Sequence, residues 1–353
     1  MVDNMEQLLK VMVEKKASDL HITAGSTPQY RIDGKLIKAD QEKLTVEKSK
    51  ELTYSLLSQE AIKQFEQTLE LDMSFGIEGL SRFRCNVYQQ RGAVGMAIRR
   101  IPYDILNLKE CGLPVNTVND LCHKTRGLIL VTGATGSGKS TSLAAMINMI
   151  NQERHAHIIT IEDPIEYVFR NVKSVIEQRE VGSDTHTFGD ALKHVLREDP
   201  DVILIGEMRD LETIQSALNI AETGHLVFAT LHTSDSVQSI NRIVDVFPAH
   251  QQQQVRTQLS FVLLSVLSQQ LLPRAQGGRV LATETLIASH AVRSLIREGK
   301  SHQIYSIIQT SQREGMRTMN QALYELCLRG DISQELALLH TTEPEDLQRL
   351  FKR

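Results

Sequence analysis

Gly133-Ala-Thr-Gly-Ser-Gly-Lys139-Ser140 fits the pattern G-x-x-x-x-G-K-[ST] and carries the flanks that pattern requires. Before it runs the apolar β-type segment Leu128-Ile-Leu-Val131, and after it Thr141 to Ile150 reads as a helix rich in Ala, Leu and Met. Strand, glycine loop and helix in that order form a cradle for phosphate. Gly133, Gly136 and Gly138 let the backbone take positive φ and approach an anion closely, so that successive N–H groups and the helix N-terminus point at it. In this reading Ala134, Thr135 and Ser137 lend backbone to the cradle, and Lys139 meets the β- and γ-phosphates. Ser140 offers its hydroxyl to Mg²⁺, and Thr141 is its neighbour rather than a ligand.

Working outward, short apolar strands alternate with helices: Leu128 to Val131, Ile158 to Ile161, Val202 to Ile205 and Leu226 to Ala229. The alternation predicts an α/β domain with a mainly parallel sheet covered on both faces. In such sheets a ligand lies beyond the carboxyl ends of the strands, so the residues that follow each strand are the candidates for chemistry. After Ile161 stands Glu162-Asp163-Pro-Ile-Glu166, and after Ile205 stands Gly206-Glu207-Met-Arg-Asp210. An acid closing an apolar strand downstream of a phosphate loop suits holding the Mg²⁺ water shell or orienting the attacking water. Gly206 takes the place where an Asp often ends that strand, which makes Glu207 the catalytic candidate, with Glu166 second. Asp210 precedes a helical run from Leu211 and is the expected N-cap. His225 and His232 bracket the Leu226 strand and are expected to reach a γ-phosphate or its acidic partners.

The first hundred residues read differently. Met5, Leu8, Leu9, Met12 and Val13 form an amphipathic helical stripe. Alternating segments follow, at Asp19 to Thr23, Gln29 to Asp33 with an Asp33-Gly34 turn, and Ser81 to Arg100, where Phe83, Cys85 and Val87 share a face. Thr45 to Gln67 is helical in character. A small α+β domain is expected over 1–100. The stretch from Ser81 to Arg100 holds Arg82, Arg84, Arg91, Arg99 and Arg100 with no acid between them, either a solvated strand face or a patch that faces phosphate. Pro102 to Pro114 reads as a linker. Beyond the sheet, Val255, Leu259, Val262, Leu263, Val266, Leu267 and Leu271 are expected to line one face of a helix. Val280 to Ile287 reads as a strand, and 289–353 as helical.

Of the 353 residues 41% are hydrophobic and 23% charged, ordinary values for a globular chain, and the net charge of -4 gives no global attraction to nucleic acid or acidic membrane. Cys85, Cys111, Cys122 and Cys327 form no C-x-x-C pair, and no zinc spacing occurs. The N-terminal residues carry no basic and apolar leader pattern, and the longest apolar run, Leu259 to Leu272, is too polar to span a membrane.

Taken together the blocks resemble the secretion ATPase superfamily and, within it, the type IV pilus retraction (twitching motility, PilT-type) ATPases. The resemblance is carried by Ala17-Ser-Asp-Leu-His21, the phosphate loop, Ile161-Glu-Asp-Pro-Ile-Glu-Tyr167, Leu196 to Asp210, Ala221 to Thr233 and Ala291-Val-Arg-Ser-Leu-Ile-Arg-Glu298. It implies a PAS-like domain (1–100), a linker (101–115), a RecA-like P-loop ATPase domain (116–288) and a helical C-terminal region (289–353). It also implies ATP and Mg²⁺, the latter at Ser140 with Glu207 acting through water, and a cytoplasmic homohexamer serving the pilus platform at the inner membrane, with no nucleic-acid partner. By the same resemblance Glu166 and Glu207 are the acidic-box and Walker B glutamates. His225 and His232 belong to the histidine box, and Arg84 and Arg99 are arginines that reach the phosphates. Val292 and Ser294 depart from the usual retraction segment, and Ala134 stands where Pro is common. The absence of a tetracysteine motif argues against the assembly and export branches; a nucleic-acid translocase of similar fold and a non-hydrolysing nucleotide switch are the alternative readings.

Overall fold

A computed structural model describes residues 4–32, 34–101 and 104–352. The chain divides into two compact units, residues 1–104 with 166–168, and residues 105–165 with 169–353.

In the first unit the strands β1 (Asp19–Ile22), β2 (Gln29–Ile32), β3 (Lys35–Lys38), β4 (Glu70–Ile77), β5 (Ser81–Gln90) and β6 (Ala93–Ile101) form an antiparallel sheet in the order β3-β2-β1-β6-β5-β4. Alternation sets the faces: Phe83, Cys85 and Val87 are buried while Arg84 is exposed. β5 and β6 are joined by Arg91-Gly92, both at positive φ (49° and 75°), the two-residue turn whose twist matches the strands. The helix Met5–Glu14 is capped by Asn4, which accepts from Gln7 N–H, and buries Met5, Leu8, Leu9 and Met12 with Leu20, Ile22, Met96 and Ile98. The expected helical stretch after Thr45 is two helices, Val46–Tyr54 and Gln59–Thr68, with Thr45 and Ser58 as their side-chain caps. Asp33 of the expected turn lies outside the described residues; Gly34 has φ 80°.

In the second unit β7 (Gly127–Thr132), β8 (His157–Glu162), β9 (Val175–Glu180), β10 (Val202–Ile205), β11 (Leu226–Leu231), β12 (Leu263–Pro273) and β13 (Arg279–Ile287) are ordered β13-β12-β7-β11-β10-β8-β9. All neighbours are parallel except β12 and β13. Successive residues of β7 enter two different cores: Leu128 and Leu130 pack on one side of the sheet, Ile129 and Val131 on the other. Burial on both faces is what an uninterrupted apolar strand requires.

Two expectations change. The apolar stripe from Val255 to Leu271 is not one helix: the helix Ala249–Val262 ends and β12 begins at Leu263. Ladder hydrogen bonds to β7 and β13 outweigh the helical period there, and the polar side chains of the run find partners in the sheet, Ser265 on Leu286 O and Ser268 with Thr132. The stretch from Pro102 to Pro114 is not a bare linker. Pro102 and Tyr103 lie outside the described residues, but Leu108 and Leu113 are buried in the core beneath β7. The C-terminal residues are helical as expected, and Met319, Leu323, Leu326 and Leu347 share a core with Leu272, Val280 and Ala282 of the β12–β13 hairpin.

Candidate active site

The loop between β7 and the helix Lys139–Glu153 takes the conformation its glycines allow. Gly133, Gly136 and Gly138 have φ of 141°, 80° and 91°. Gly133 is required twice over, because a Cβ there would come within 2.4 Å of Gln269 O and 2.5 Å of Ser137 Oγ. At Gly136 nothing lies within 4 Å, so only the backbone conformation demands glycine. The helix starts from Gly138 without a side-chain cap and without an acid in its first turn. A helix start without a side-chain cap is the arrangement that suits an anion. Lys139 is buried, and its ammonium donates to Gly133 O (2.7 Å) and Ala134 O (3.0 Å), the rim on which a phosphate oxygen would compete for it. Ala134, Thr135 and Gly136 are exposed, Ser137 is buried, and Ser140 and Thr141 are half-buried.

The second element comes from the end of β10. Gly206 N donates to Ile161 O (2.8 Å), the Thr230 hydroxyl donates to Gly206 O, and Met208 N donates to Thr230 O (3.0 Å), which pins this turn between β8 and β11. A Cβ on residue 206 would stand 3.2 Å from both Ile161 O and Glu162 Cα. The approach of β8 therefore explains why a glycine, and not an aspartate, ends the strand, and it moves the carboxylate to the next residue. Glu207 is only 13% exposed, and its Oε2 meets Arg209 Nε at 2.7 Å and His232 Nε2 at 3.6 Å. Asp210 caps the next helix through Thr213 N (2.9 Å), as its position suggested.

The acidic segment after β8 divides its labour. Glu162 is buried and accepts from the Thr160 hydroxyl (2.7 Å) and Gln178 Nε2 (3.2 Å). Glu180, also buried, accepts from Ile165 N (3.1 Å) and so shapes the turn. Glu166 is exposed and counts with the first unit.

His225 and His232 bracket β11 as the sequence implies, and they therefore lie at opposite ends of it, with only His232 on the side of the loop. His225 precedes β11 and pairs its carbonyl with Gly127 N, at the start of β7, while its Nδ1 sits 3.1 Å from Ile220 O. Roughly 20 Å of strand, at about 3.3 Å per residue, separates it from His232. The geometric reason is that a parallel sheet has its strand starts at one edge and its strand ends at the other.

Arg84 and Arg99 belong to the first unit, directly opposite each other on β5 and β6. The same row continues through Asp19 on β1 to Arg31 on β2. Asp19 meets Arg99 Nε at 2.9 Å and Arg31 Nε at 3.5 Å. Burial pushes the Asp19 carboxyl up, but the Ser18 hydroxyl and Arg99 outweigh it and hold the group below its usual value. Three arginines against one aspartate leave the row positive, and like charges placed opposite one another favour an anion between them.

Two participants escaped the sequence reading. Arg209 was visible only as part of a motif. Gln269 lay inside a stretch read as helix, and no local signal marks it. It is buried on β12, donates from Nε2 to Ser142 Oγ (2.8 Å), and leaves Oε1 without a partner, as Ser137 Oγ is. An uncapped helix, buried unpaired polar atoms and a buried lysine on carbonyls fit a nucleoside di- or triphosphate. Among the described residues no group of three or more His, Cys, Asp or Glu could hold a metal ion. One hydroxyl, Ser140, with Glu207 behind it suits Mg²⁺ that arrives on the substrate's phosphates, because Mg²⁺ keeps most of its waters.

The family model described as "Type II/IV secretion system protein" matches residues 1–336. The Pseudomonas aeruginosa type IV pilus retractation ATPase PilT is 46% identical over 97% of this chain and 99% of its own length. The Neisseria gonorrhoeae twitching motility protein is 45% identical over 94% of this chain and 90% of its own length. A crystal structure of the pilus retraction motor PilT with bound ADP superposes with a TM-score of 0.92 at 52% identity, covering 98% of this chain and 99% of that one.

Proposed function

We propose that this chain, which belongs to the type II/IV secretion system protein family and resembles its pilus retraction ATPases over nearly its whole length, is an Mg²⁺-dependent ATP hydrolase that powers pilus retraction. The observation that carries the reading is the meeting, at one end of one sheet, of an uncapped glycine cradle with Lys139 and a carboxylate, Glu207, fixed by Arg209 and His232.

In this reading the backbone N–H groups of 133–141 and the Lys139 ammonium bind the phosphates of ATP. Ser140 holds Mg²⁺, with Glu207 reaching it through water; the ion supplies neutralisation of the phosphate charge. Glu207 orients the attacking water and takes its proton, His232 steadies that carboxylate, and Glu166 assists. Arg84 and Arg99 stabilise the charge that develops as the γ-phosphoryl leaves ADP. The working form is a homohexamer in which the arginine row completes a site, at the cytoplasmic face of the inner membrane with the pilus platform as partner. No helix among the described residues is long and apolar enough to cross a membrane. Retraction is favoured over assembly or nucleic-acid translocation by the near-complete match to proteins named for retraction and twitching.

Glu207→Gln tests the assignment. The variant is expected to bind Mg²⁺ADP within about threefold of wild type and to hydrolyse ATP more than about 100-fold more slowly, because the base is removed and the cradle is untouched. Hydrolysis near the wild-type rate would take Glu207 out of the mechanism.

A further inference from the structure

Gln269 approaches the phosphate loop from β12. β12 runs parallel to β7, with Ser268 level with Thr132, so Gln269 lies level with the first glycine of the loop. Its carbonyl oxygen fills the space beside Gly133 in which a Cβ would stand at 2.4 Å. Its side chain continues beneath the loop: Nε2 donates to Ser142 Oγ (2.8 Å) in the first turn of the helix Lys139–Glu153. Oε1 stops 4.0 Å from where a Cβ on Gly138 would be. The residue is 1% exposed, and that oxygen has no hydrogen-bond partner.

A second buried atom of the loop shares this condition. Ser137, 6% exposed, has a hydroxyl without a partner, and Ser137 is the neighbour of Gly138. A buried acceptor and a buried donor left unpaired are each destabilising, and one belongs to the loop while the other lies against it. Meanwhile Lys139 is engaged with Gly133 O and Ala134 O. When its ammonium turns to phosphate Gly133 O loses that donor, and Ala134 O keeps only Ser137 N (3.2 Å), so the loop is held less firmly.

We propose that Gln269 is a positioning residue for the phosphate loop: in the nucleotide-bound loop the Ser137 hydroxyl donates to Gln269 Oε1, while Gln269 Nε2 keeps hold of Ser142. The loop is then fastened to β12 at the moment it is released by Lys139. The consequence extends past the site, because β12 leads through Leu272 into the core that carries the C-terminal helices, so loop state and tail share one strand. This rests on the nucleotide-binding reading above.

Titration of Mg²⁺ADP by calorimetry, which needs no turnover, tests the latch in a double-mutant cycle with thermal melting of the nucleotide-free protein alongside. Wild type binds and Lys139→Ala does not; if wild type fails to bind, the nucleotide reading falls and this one with it. Gln269→Met keeps the volume and removes both hydrogen-bonding atoms; it is expected to weaken binding by about tenfold. Ser137→Ala is expected to weaken it by about threefold. The double variant is expected to bind no more weakly than Gln269→Met alone, because both changes remove the same bond. Binding by Gln269→Met within about twofold of wild type overturns the latch, as does multiplication of the two losses, which is what separate packing defects would give. Should Gln269→Met not fold, Ser137→Ala decides alone: unchanged ADP affinity overturns the proposal.

Discussion

The two ends of the parallel sheet are made from the same strands, yet they use their polar groups differently. At the end where strands begin, backbone groups pair within the chain: Asp201 Oδ2 accepts from His157 N (2.8 Å), Asp201 O accepts from Leu226 N (3.1 Å), and His225 O accepts from Gly127 N (2.9 Å). At the end where strands finish, the helix Lys139–Glu153 lacks a cap, Ser137 and Gln269 hold unpaired buried atoms, and Lys139 leans on loop carbonyls. One edge is closed by its own hydrogen bonds, whereas the other keeps donor capacity that an anion satisfies. Parallel topology decides which edge is which, since helices that follow strands present their N-termini at the strand ends.

The largest effect expected from breaking this asymmetry comes from Gly133→Ala. The new Cβ would collide with a backbone oxygen, Gln269 O, and with Ser137 Oγ, at a φ of 141° that L-residues rarely adopt. Stability is expected to fall by about 2–4 kcal/mol, and Mg²⁺ADP binding to be lost. Gly136→Ala, at φ 80° with open space around it, is expected to cost only about 1–2 kcal/mol. Chemical denaturation of the two variants side by side checks the ranking; equal losses would mean that backbone conformation alone, and not the approach of β12, demands glycine at 133.

The finishing edge was legible in the sequence because its signals are local. Eight consecutive residues write the loop, Asp210 stands directly before the helix it caps, and Glu207 follows its strand by two residues. What escaped depends on distant partners. Leu263 to Leu271 fits a helical period as well as a buried strand, and only the pairing with β7, more than a hundred residues earlier, decides between them. β9 passed unread because Glu177, Gln178 and Glu180 make it polar; it exists through its ladder to β8. Gln269 was hidden by the same misreading, its partner Ser142 lying 127 residues away. For His225 the residue type pointed to chemistry, while its place before the strand, read with the parallel topology, already put it at the closed edge.

The histidines that bracket β11 sharpen the comparison at intermediate cost. His225 Nδ1 lies against Ile220 O, near the end of the helix Leu211–Glu222. His225→Ala is expected to lower stability by about 1 kcal/mol, the worth of one such bond, and to leave Mg²⁺ADP affinity within about twofold. His232→Ala, half-exposed beside Glu207, is expected to keep the stability and to slow hydrolysis by about tenfold or more. A His225→Ala protein that melts normally but loses nucleotide would place the functional edge wrongly.

The smallest effect concerns a carboxylate at the finishing edge that is fully engaged within the chain. Glu284 on β13 lies level with Ser268 and Thr132, is 3% exposed, and accepts from Ser236 N (2.9 Å) and the Ser236 hydroxyl (2.7 Å) at the start of the helix after β11. Burial pushes its carboxyl above the ordinary 4.5; the Ser236 donors oppose this, nearby Asp235 adds to it, and Met319 N–H opposes it, leaving the group raised. The unfolded chain therefore releases this proton at a lower pH than the folded one. The contribution of Glu284 to stability is complete below about 4.5, declines as pH rises through the folded value, and is level above it. Glu284→Gln keeps an acceptor for Ser236 and cannot titrate. The difference in Tm between Glu284→Gln and wild type is expected to grow in favour of the variant as pH is raised from about 4.5 and then to level off. A difference independent of pH would mean that Glu284 titrates alike in both states, and that its hydrogen bonds to Ser236 offset its burial in full.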